Sequence, residues 1–285
     1  MPSNPLTEKQ VERYHQDGYL LIPQLFDAEE IELLRRAAKE DRALDEHALG
    51  RDDGEGGTVR LTVWNQPGEG IYGMFARCRR LVDPMDQILE EEAYHYHSKM
   101  IMKAARVGGA WTWHQDYGYW YHYSVLRPQL ASWSIAIDPA TRENGCLQVI
   151  RGSHKVGRVH HVLAGDQAGA EPERVSEILK RHELVHVTMD PGDALLFHCN
   201  LLHRSDRNES DHPRWSMICC YNARSNEPYK ESRHAAYSPI DKVDDELIKK
   251  VGIKRFVDDA SDVAWVDVPR SSLARLLERE AGNEK

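Results

Sequence analysis

Six short runs rich in Val, Ile, Trp and Tyr follow one another in the middle of the chain. Several of them alternate in polarity, and Gly, Pro, Asn or Asp stands between them, which is typical of short strands joined by turns. Many short strands in one stretch favour a β-sandwich or a barrel. The runs are His95–Lys103, Ser132–Ile137, Leu147–Ile150, Leu184–Met189, Ala194–His198 and Ser216–Tyr221.

Helical patterns flank these strands. Thr7 with Gln10 three residues later forms a capping-box pattern, and a short apolar strand follows the helix that it starts. Asp27 and Asp83 are the cap residues of two further helices. Residues 49–58 are glycine-rich and polar, so we predict a mobile loop there. The predicted helices cover residues 6–17, 28–44, 83–93 and 271–280.

No convincing linker divides the chain, so we predict one domain, residues 1–285. Within it we expect a helical N-terminal part over about 1–93, a β core over about 94–221 and a loop-and-helix extension over about 222–285. The predicted fold class is therefore mainly β with flanking helices.

The composition limits the partners that we expect. The 37 Lys and Arg against 46 Asp and Glu give a charge of -9 without a basic block, which argues against nucleic acid. We see no apolar run of membrane-spanning length and no secretory pattern. The five cysteines are scattered and form no C-x-x-C pair, which indicates reduced thiols. We expect a cytoplasmic monomer or homodimer that acts on a small molecule and binds no membrane.

An H-x-D pattern, His114 and Asp116, stands between two of the strands. Residues i and i+2 of a strand face the same side, so both side chains can reach one metal ion. His203, from a later strand, would complete a face of two imidazoles and one carboxylate. Such a face leaves coordination positions open and is typical of Fe(II) that binds an organic cosubstrate and dioxygen.

Arg214 stands at the start of an apolar strand that runs back into the core. An unpaired buried guanidinium is costly and its planar fork matches a carboxylate, so Arg214 needs an anionic partner. Ser205, two residues after His203, can donate its hydroxyl to the same anion.

Several motifs occur in an order that is more specific than any one of them. They are His114-Gln115-Asp116, the segment Glu143–Lys155, the turn Pro191–Asp193, and His203-x-Ser205-x-x-Asn208 followed by Arg214. With these motifs the chain resembles the phytanoyl-CoA dioxygenase family of Fe(II)- and 2-oxoglutarate-dependent oxygenases. The resemblance extends over roughly residues 14–222.

The resemblance implies a double-stranded β-helix, or jelly-roll, core in which His114, Asp116 and His203 hold Fe(II). It also implies that 2-oxoglutarate chelates the iron and that Arg214, helped by Ser205, holds its far carboxylate. The reaction expected from the family is hydroxylation of an unactivated C–H bond with O2, which releases succinate and CO2. Desaturation, ring closure and epimerisation at the same iron stay open, and the prime substrate is not specified.

Two segments supply candidate contacts for the small molecules. The first of the six strands places His97 and Lys99 on one face, which we interpret as a cosubstrate contact and a substrate contact, respectively. A solvated face is the alternative. The aromatic run at 117–123 either contacts the substrate or packs as a lid, with Tyr117 and Trp120 as the leading candidates. These residues favour a small or medium-sized metabolite with a polar or charged end.

Two other classes of function share parts of the pattern. A jelly-roll module that binds metal or 2-oxoglutarate without turnover has no need of the complete ligand set. A zinc hydrolase leaves Arg214 unexplained and lacks an evident general base near the motif. Formation of succinate on addition of Fe(II), ascorbate and 2-oxoglutarate separates an oxygenase from both alternatives.

Overall fold

Two antiparallel sheets and a small hairpin make up the β part of the computed structural model, which describes residues 5–53, 56–164, 167–256 and 264–266. The strands are β1 (Tyr19–Ile22), β2 (Leu49–Asp52), β3 (Thr58–Trp64), β4 (Ala93–Lys103), β5 (Trp111–His114), β6 (Leu130–Ala136), β7 (Leu147–Ile150), β8 (His161–Ala164), β9 (Gln167–Ala170), β10 (Leu184–Val187), β11 (Ala194–His198), β12 (His203–Ser205) and β13 (Arg214–Ala223). The larger sheet has the order β1-β11-β6-β13-β4-β3-β2, the smaller one β10-β7-β12-β5, and β8 pairs with β9. All six strands predicted in the middle of the chain are present.

The described ranges contain eight α-helices, several of which pack against the larger sheet. They are α1 (Glu8–Asp17), α2 (Ala28–Glu40), α3 (Arg42–Glu46), α4 (Ile71–Arg77), α5 (Arg79–Leu89), α6 (Asp116–Trp120), α7 (Pro172–Leu179) and α8 (Leu247–Val251). The predicted capping box of α1 is present, because Thr7 accepts from the Gln10 amide and Gln10 reaches back to the Thr7 amide. None of the helices in the described ranges is long and apolar enough to cross a membrane.

The two faces of the larger sheet have different roles. On β6, Trp133 and Ile135 join the main core, and the Trp133 indole donates to the Leu81 carbonyl of α5 at 3.1 Å. Ser134, between them, lines a cavity on the opposite face. This alternation with a period of two separates the helix-packed core from the side that carries the candidate site.

The segment at 49–58 is not a loop throughout, which corrects the prediction. Its two ends belong to β2 and β3, which pair as a hairpin with Arg51 opposite Val59. Val59, Leu61 and Val63 are buried, so one face of β3 holds the hairpin against the protein. Gly50 lies within β2, whereas Gly56 and Gly57 lie between the two strands, and the glycine-rich, polar composition hid the short strand.

Two predicted helices have different limits from those expected. The helix predicted for 28–44 ends at Glu40. Asp41 leaves the helical conformation, with ψ 108°, and its carboxylate accepts from the Ala43 amide as the cap of the separate helix α3. The helix predicted for 83–93 begins earlier, at Arg79, so that Pro84 lies inside it. Asp83 therefore does not cap this helix; its carboxylate pairs with Lys242 Nζ at 2.7 Å. The helix predicted for 271–280 lies outside the described residues.

Candidate active site

His114 and His203 face each other on neighbouring strands of the smaller sheet. They are direct cross-strand partners where β5 pairs with β12, and their ring centroids are 4.0 Å apart. Opposite residues of an antiparallel pair share a face and lie close together, so this register brings the two imidazoles to one point. Both side chains are buried.

Asp116 lies near His114 and His203, but it belongs to a helix and not to the predicted strand. β5 ends at His114, and Asp116 is the first residue of α6. Gln115 between them keeps an extended backbone, with φ -114° and ψ 135°, so His114 and Asp116 still point to the same side. One ligand atom from each of the three residues, including His203, lies within 4.8 Å of the other two.

Backbone hydrogen bonds hold both imidazoles in the form that binds metal. His114 Nδ1 donates to the Thr112 carbonyl at 2.8 Å, and His203 Nδ1 donates to the Leu201 carbonyl at 2.9 Å. Since a carbonyl only accepts, the proton is on Nδ1 and each Nε2 keeps a lone pair for a metal. Burial lowers the pKa of both histidines, which keeps the rings neutral.

One carboxylate oxygen of Asp116 is left for a ligand. Oδ1 accepts from Lys99 Nζ at 3.3 Å, whereas Oδ2 is buried and has no hydrogen-bond partner. A buried carboxylate oxygen without a partner is costly, and a metal ion removes that cost. Together with two neutral imidazoles, this oxygen forms a donor set that fits Fe(II) and leaves coordination positions open.

Arg214 is a buried cation that lines the same cavity. Its Nε has no hydrogen-bond partner, and no carboxylate in the described part of the chain forms an ion pair with it. Burial lowers the pKa of Arg214 to about 10, so the guanidinium is still charged at neutral pH. An unpaired buried cation is unfavourable, and an anionic ligand at this place would stabilise it.

Lys103 is a second buried basic side chain near this end of the cavity, and it was not among the predicted site residues. It is the cross-strand partner of Arg214, and its Nζ donates to Ser205 Oγ at 3.0 Å and to the Asp206 carbonyl. Burial and the neighbouring Arg214 lower the pKa of Lys103 to about 6. The alternation along β4 places Lys103 on the same face as Lys99 and Ile101, and this pattern could have identified it.

Most of the predicted contacts line the cavity, but Tyr117 does not. The lining includes Ser205, His97, Lys99 and Trp120. Tyr117 turns away and donates its hydroxyl to the Leu126 carbonyl at 2.6 Å, while Tyr119 lines the cavity in its place. The chain becomes helical at Asp116, so successive side chains rotate by about 100° and the strand pattern no longer applies. Arg233 and His234 also line the cavity, from a segment where no sequence pattern marked them.

Comparison with known proteins assigns the family. The model described as phytanoyl-CoA dioxygenase (PhyH) matches residues 14–216. The chain belongs to the phytanoyl-CoA dioxygenase family. The match contains all three candidate metal ligands together with Ser205 and Arg214, and it confirms the family resemblance inferred from the motifs.

Proteins named for their activities are similar to this chain over most of its length. The ectoine dioxygenase of Sphingopyxis alaskensis is 29% identical over 238 residues, which are 78% of this chain and 78% of that protein. The methylphosphonate hydroxylase of Gimesia maris is 29% identical over 262 residues, which are 87% of this chain and 95% of that protein.

A solved structure supports the fold. The apo crystal structure of EctD from S. alaskensis superposes with a TM-score of 0.72 at 25% identity, and covers 86% of this chain and 90% of EctD. EctD has also been solved with Fe, and with 2-oxoglutarate and 5-hydroxyectoine. The predicted jelly-roll core is confirmed. This phytanoyl-CoA dioxygenase family member is an Fe(II)- and 2-oxoglutarate-dependent dioxygenase of the hydroxylase type.

Proposed function

We propose that His114, Asp116 and His203 hold the iron and that Arg214 and Ser205 bind the far carboxylate of 2-oxoglutarate. The observation that carries this assignment is the pairing, in one cavity, of three convergent ligands with a buried guanidinium that lacks an anion. Lys103 donates to the Ser205 oxygen, which leaves the Ser205 proton free for a carboxylate. Lys103 therefore acts as a positioning residue for the cosubstrate.

The reaction is the hydroxylation of a small metabolite. Iron with 2-oxoglutarate and O2 supplies the oxidising power: one oxygen atom enters the substrate C–H bond as a hydroxyl, and the other enters succinate as CO2 is released. The protein positions the reactants and encloses them in a buried site. Ectoine and methylphosphonate, named for two relatives, support a small polar substrate for this chain as well.

The first experiment is an anaerobic titration of the Fe(II)-loaded protein with 2-oxoglutarate, followed by the visible charge-transfer band of the chelate. We expect the band in the wild type and its loss in His203→Ala. His186→Gln, at a half-buried histidine of β10 outside the cavity, serves as the matched control and should keep it. A band of full strength in His203→Ala, or no band in folded, iron-loaded wild type, would contradict the proposed ligand set.

A further inference from the structure

Gln115, the middle residue of the H-x-D pattern, is buried and points away from the cavity. The backbone is extended at this residue, so neighbouring side chains lie on opposite sides: His114 and Asp116 face the cavity, and Gln115 faces the protein interior. A buried primary amide needs partners for two N–H groups and for its carbonyl oxygen. The partners of Gln115 therefore show which parts of the chain it connects.

The side chain of Gln115 binds two backbone segments that are far apart in the sequence. Its Nε2 donates to the Asn200 carbonyl at 2.7 Å and to the Gly157 carbonyl at 2.8 Å, and its Oε1 accepts from the Val159 amide at 2.7 Å. Gly157 and Val159 precede β8, whereas Asn200 lies in the turn between β11 and β12. Both N–H groups and the carbonyl oxygen are satisfied, so the side chain is held in one position.

The start of β8 also holds the backbone of Gln115. The Gln115 amide donates to His161 Nε2 at 3.1 Å, and His161 Nδ1 donates to the Val159 carbonyl at 3.0 Å. Burial lowers the pKa of His161 to about 4, which keeps the ring neutral and leaves Nε2 able to accept. The peptide between His114 and Gln115 is therefore fixed by residues outside the metal site.

The turn bound by Gln115 is the one that orients the third ligand. Three successive carbonyls of this turn accept hydrogen bonds: Cys199 from the Tyr117 amide at 3.0 Å, Asn200 from Gln115 Nε2, and Leu201 from His203 Nδ1 at 2.9 Å. The first two bonds come from the H-x-D segment and α6, and the third sets the direction of the His203 ring. Because planar peptide units join these carbonyls, a displacement of Asn200 also displaces the acceptor of His203.

The pairing of β12 with β5 fixes His203 only in part against the other two ligands. His203 lies opposite His114, but the register shifts between His203 and Ser205. A ladder that is interrupted directly after the ligand pair holds its register less firmly than a continuous one. The bond from Gln115 to Asn200 supplies a second connection just before His203.

We propose that Gln115 is a positioning residue that holds His203 in place relative to His114 and Asp116, so that all three ligands meet at one metal ion. This inference rests on the proposed function. Gln115 acts from outside the cavity, because it joins the segment that carries two ligands to the turn that precedes the third.

The test is the Fe(II) affinity of the full chain, measured without oxygen by competition with a chromogenic chelator. Gln115→Met keeps the length of the side chain and removes all three of its hydrogen bonds. We expect it to bind Fe(II) about 10- to 100-fold more weakly, the usual effect of losing an outer partner of a metal site.

Gln87→Met is the matched control and should keep the wild-type affinity. Gln87 lies on α5, outside the cavity, and it also bonds the backbone through both ends of its amide. Its Oε1 accepts from the Leu6 amide at 2.8 Å and its Nε2 donates to the Leu6 carbonyl at 3.0 Å. The control therefore loses the same kind of bonds at a distance from the ligands.

Urea unfolding of the metal-free proteins separates positioning from folding. Gln115→Asn is a second variant, in which the amide is one methylene closer to the backbone and cannot keep all three bonds, so it should also bind Fe(II) at least about tenfold more weakly. Wild-type affinity in either variant, once it is folded, overturns the inference. If neither variant folds while Gln87→Met does, Gln115 serves the fold and the inference is likewise overturned.

Proton NMR of the Co(II)-loaded protein shows which ligand is displaced. The wild type should give two strongly shifted, exchangeable signals, one from the Nδ1 proton of each ligand histidine, and His203→Ala identifies the signal of His203. In Gln115→Met we expect the His203 signal to move or vanish and the His114 signal to stay. Weaker metal binding with both signals unchanged would contradict the positioning role.

The wild type distinguishes the two kinds of failure. If the wild type binds Fe(II) and shows the band of bound 2-oxoglutarate, while the Gln115 variants bind iron as tightly, only this inference is overturned and the proposed function stands. If the folded wild type binds neither Fe(II) nor Co(II), both the proposed ligand set and the role of Gln115 are overturned.

Discussion

At the scale of single residues, Arg214 is a buried charge whose partner we propose to be 2-oxoglutarate. Arg214→Ala should raise the apparent requirement for 2-oxoglutarate by well over tenfold, because the loss of a buried charged partner costs about 2 to 5 kcal/mol. Steady-state succinate release at varied 2-oxoglutarate concentration measures the effect. Arg106→Ala, at an exposed arginine paired with Asp211, is the control. An unchanged requirement in Arg214→Ala would move the anchor elsewhere.

We expect Lys103 to make the binding of 2-oxoglutarate dependent on pH. Its pKa is lowered to about 6 by burial and by Arg214, so in the free protein the amine is mostly neutral at pH 7.5. A bound dianion raises this pKa again, and binding therefore takes up a proton and weakens as the pH rises above about 6. Calorimetry in buffers of different ionisation enthalpy should detect this uptake.

The uptake should disappear in Lys103→Met and persist in Lys155→Met, at an exposed lysine. If the wild type and Lys103→Met took up the same number of protons, the titrating group would be another residue. Lys103→Arg stays protonated throughout the range, so it should bind 2-oxoglutarate without proton uptake.

At the scale of elements, the short helix α6 orients Asp116 and depends on one glycine. A Cβ added to Gly118 would lie 2.0 Å from Cε1 of His161. That ring cannot move aside, because Nε2 accepts from the Gln115 amide at 3.1 Å and Nδ1 bonds the Val159 carbonyl at 3.0 Å. Gly118→Ala should therefore lower the free energy of unfolding by about 1 to 3 kcal/mol and weaken iron binding.

Urea unfolding and Fe(II) titration of Gly118→Ala check this expectation. Gly50→Ala is the matched control, because Gly50 is exposed and the nearest atom to an added Cβ is a methyl of Thr58 at 3.1 Å. Wild-type stability and iron affinity in Gly118→Ala would show that α6 tolerates the shift.

At the scale of the whole molecule, the segment after β13 returns to the N-terminal half. The buried ring of Phe256 packs on Tyr72 of α4 at 4.4 Å and on Trp64 of β3 at 5.1 Å between centroids. Phe256→Ala should lower the free energy of unfolding by about 3 to 5 kcal/mol, since it empties a core position. Because the ring connects three parts of the chain, we also expect one unfolding transition.

Coincident far-UV circular dichroism and tryptophan fluorescence curves would support the prediction of a single domain. Ile253→Ala, at an exposed position, should leave the midpoint nearly unchanged. Two separate transitions, with only one shifted by Phe256→Ala, would divide the chain into independent units.

Local sequence patterns predicted the features that depend on neighbouring residues. Alternation of polarity located the six middle strands, and Thr7 with Gln10 marked the first helix, because strand faces and helix caps are set by residues a few positions apart. The residue types at His114, Asp116 and His203 likewise indicated the kind of metal site, because imidazole and carboxylate groups have the same preference for metals in any fold.

The tertiary structure decided which distant side chains meet and how they are charged. The register of β5 and β12 sets His114 against His203, and the pairing of β4 with β13 sets Lys103 beside Arg214. His234 reaches its position through a segment without any local pattern. Register and burial follow from the packing of the whole chain, and burial in turn sets the cost of a charge, so neither could be obtained from local patterns alone.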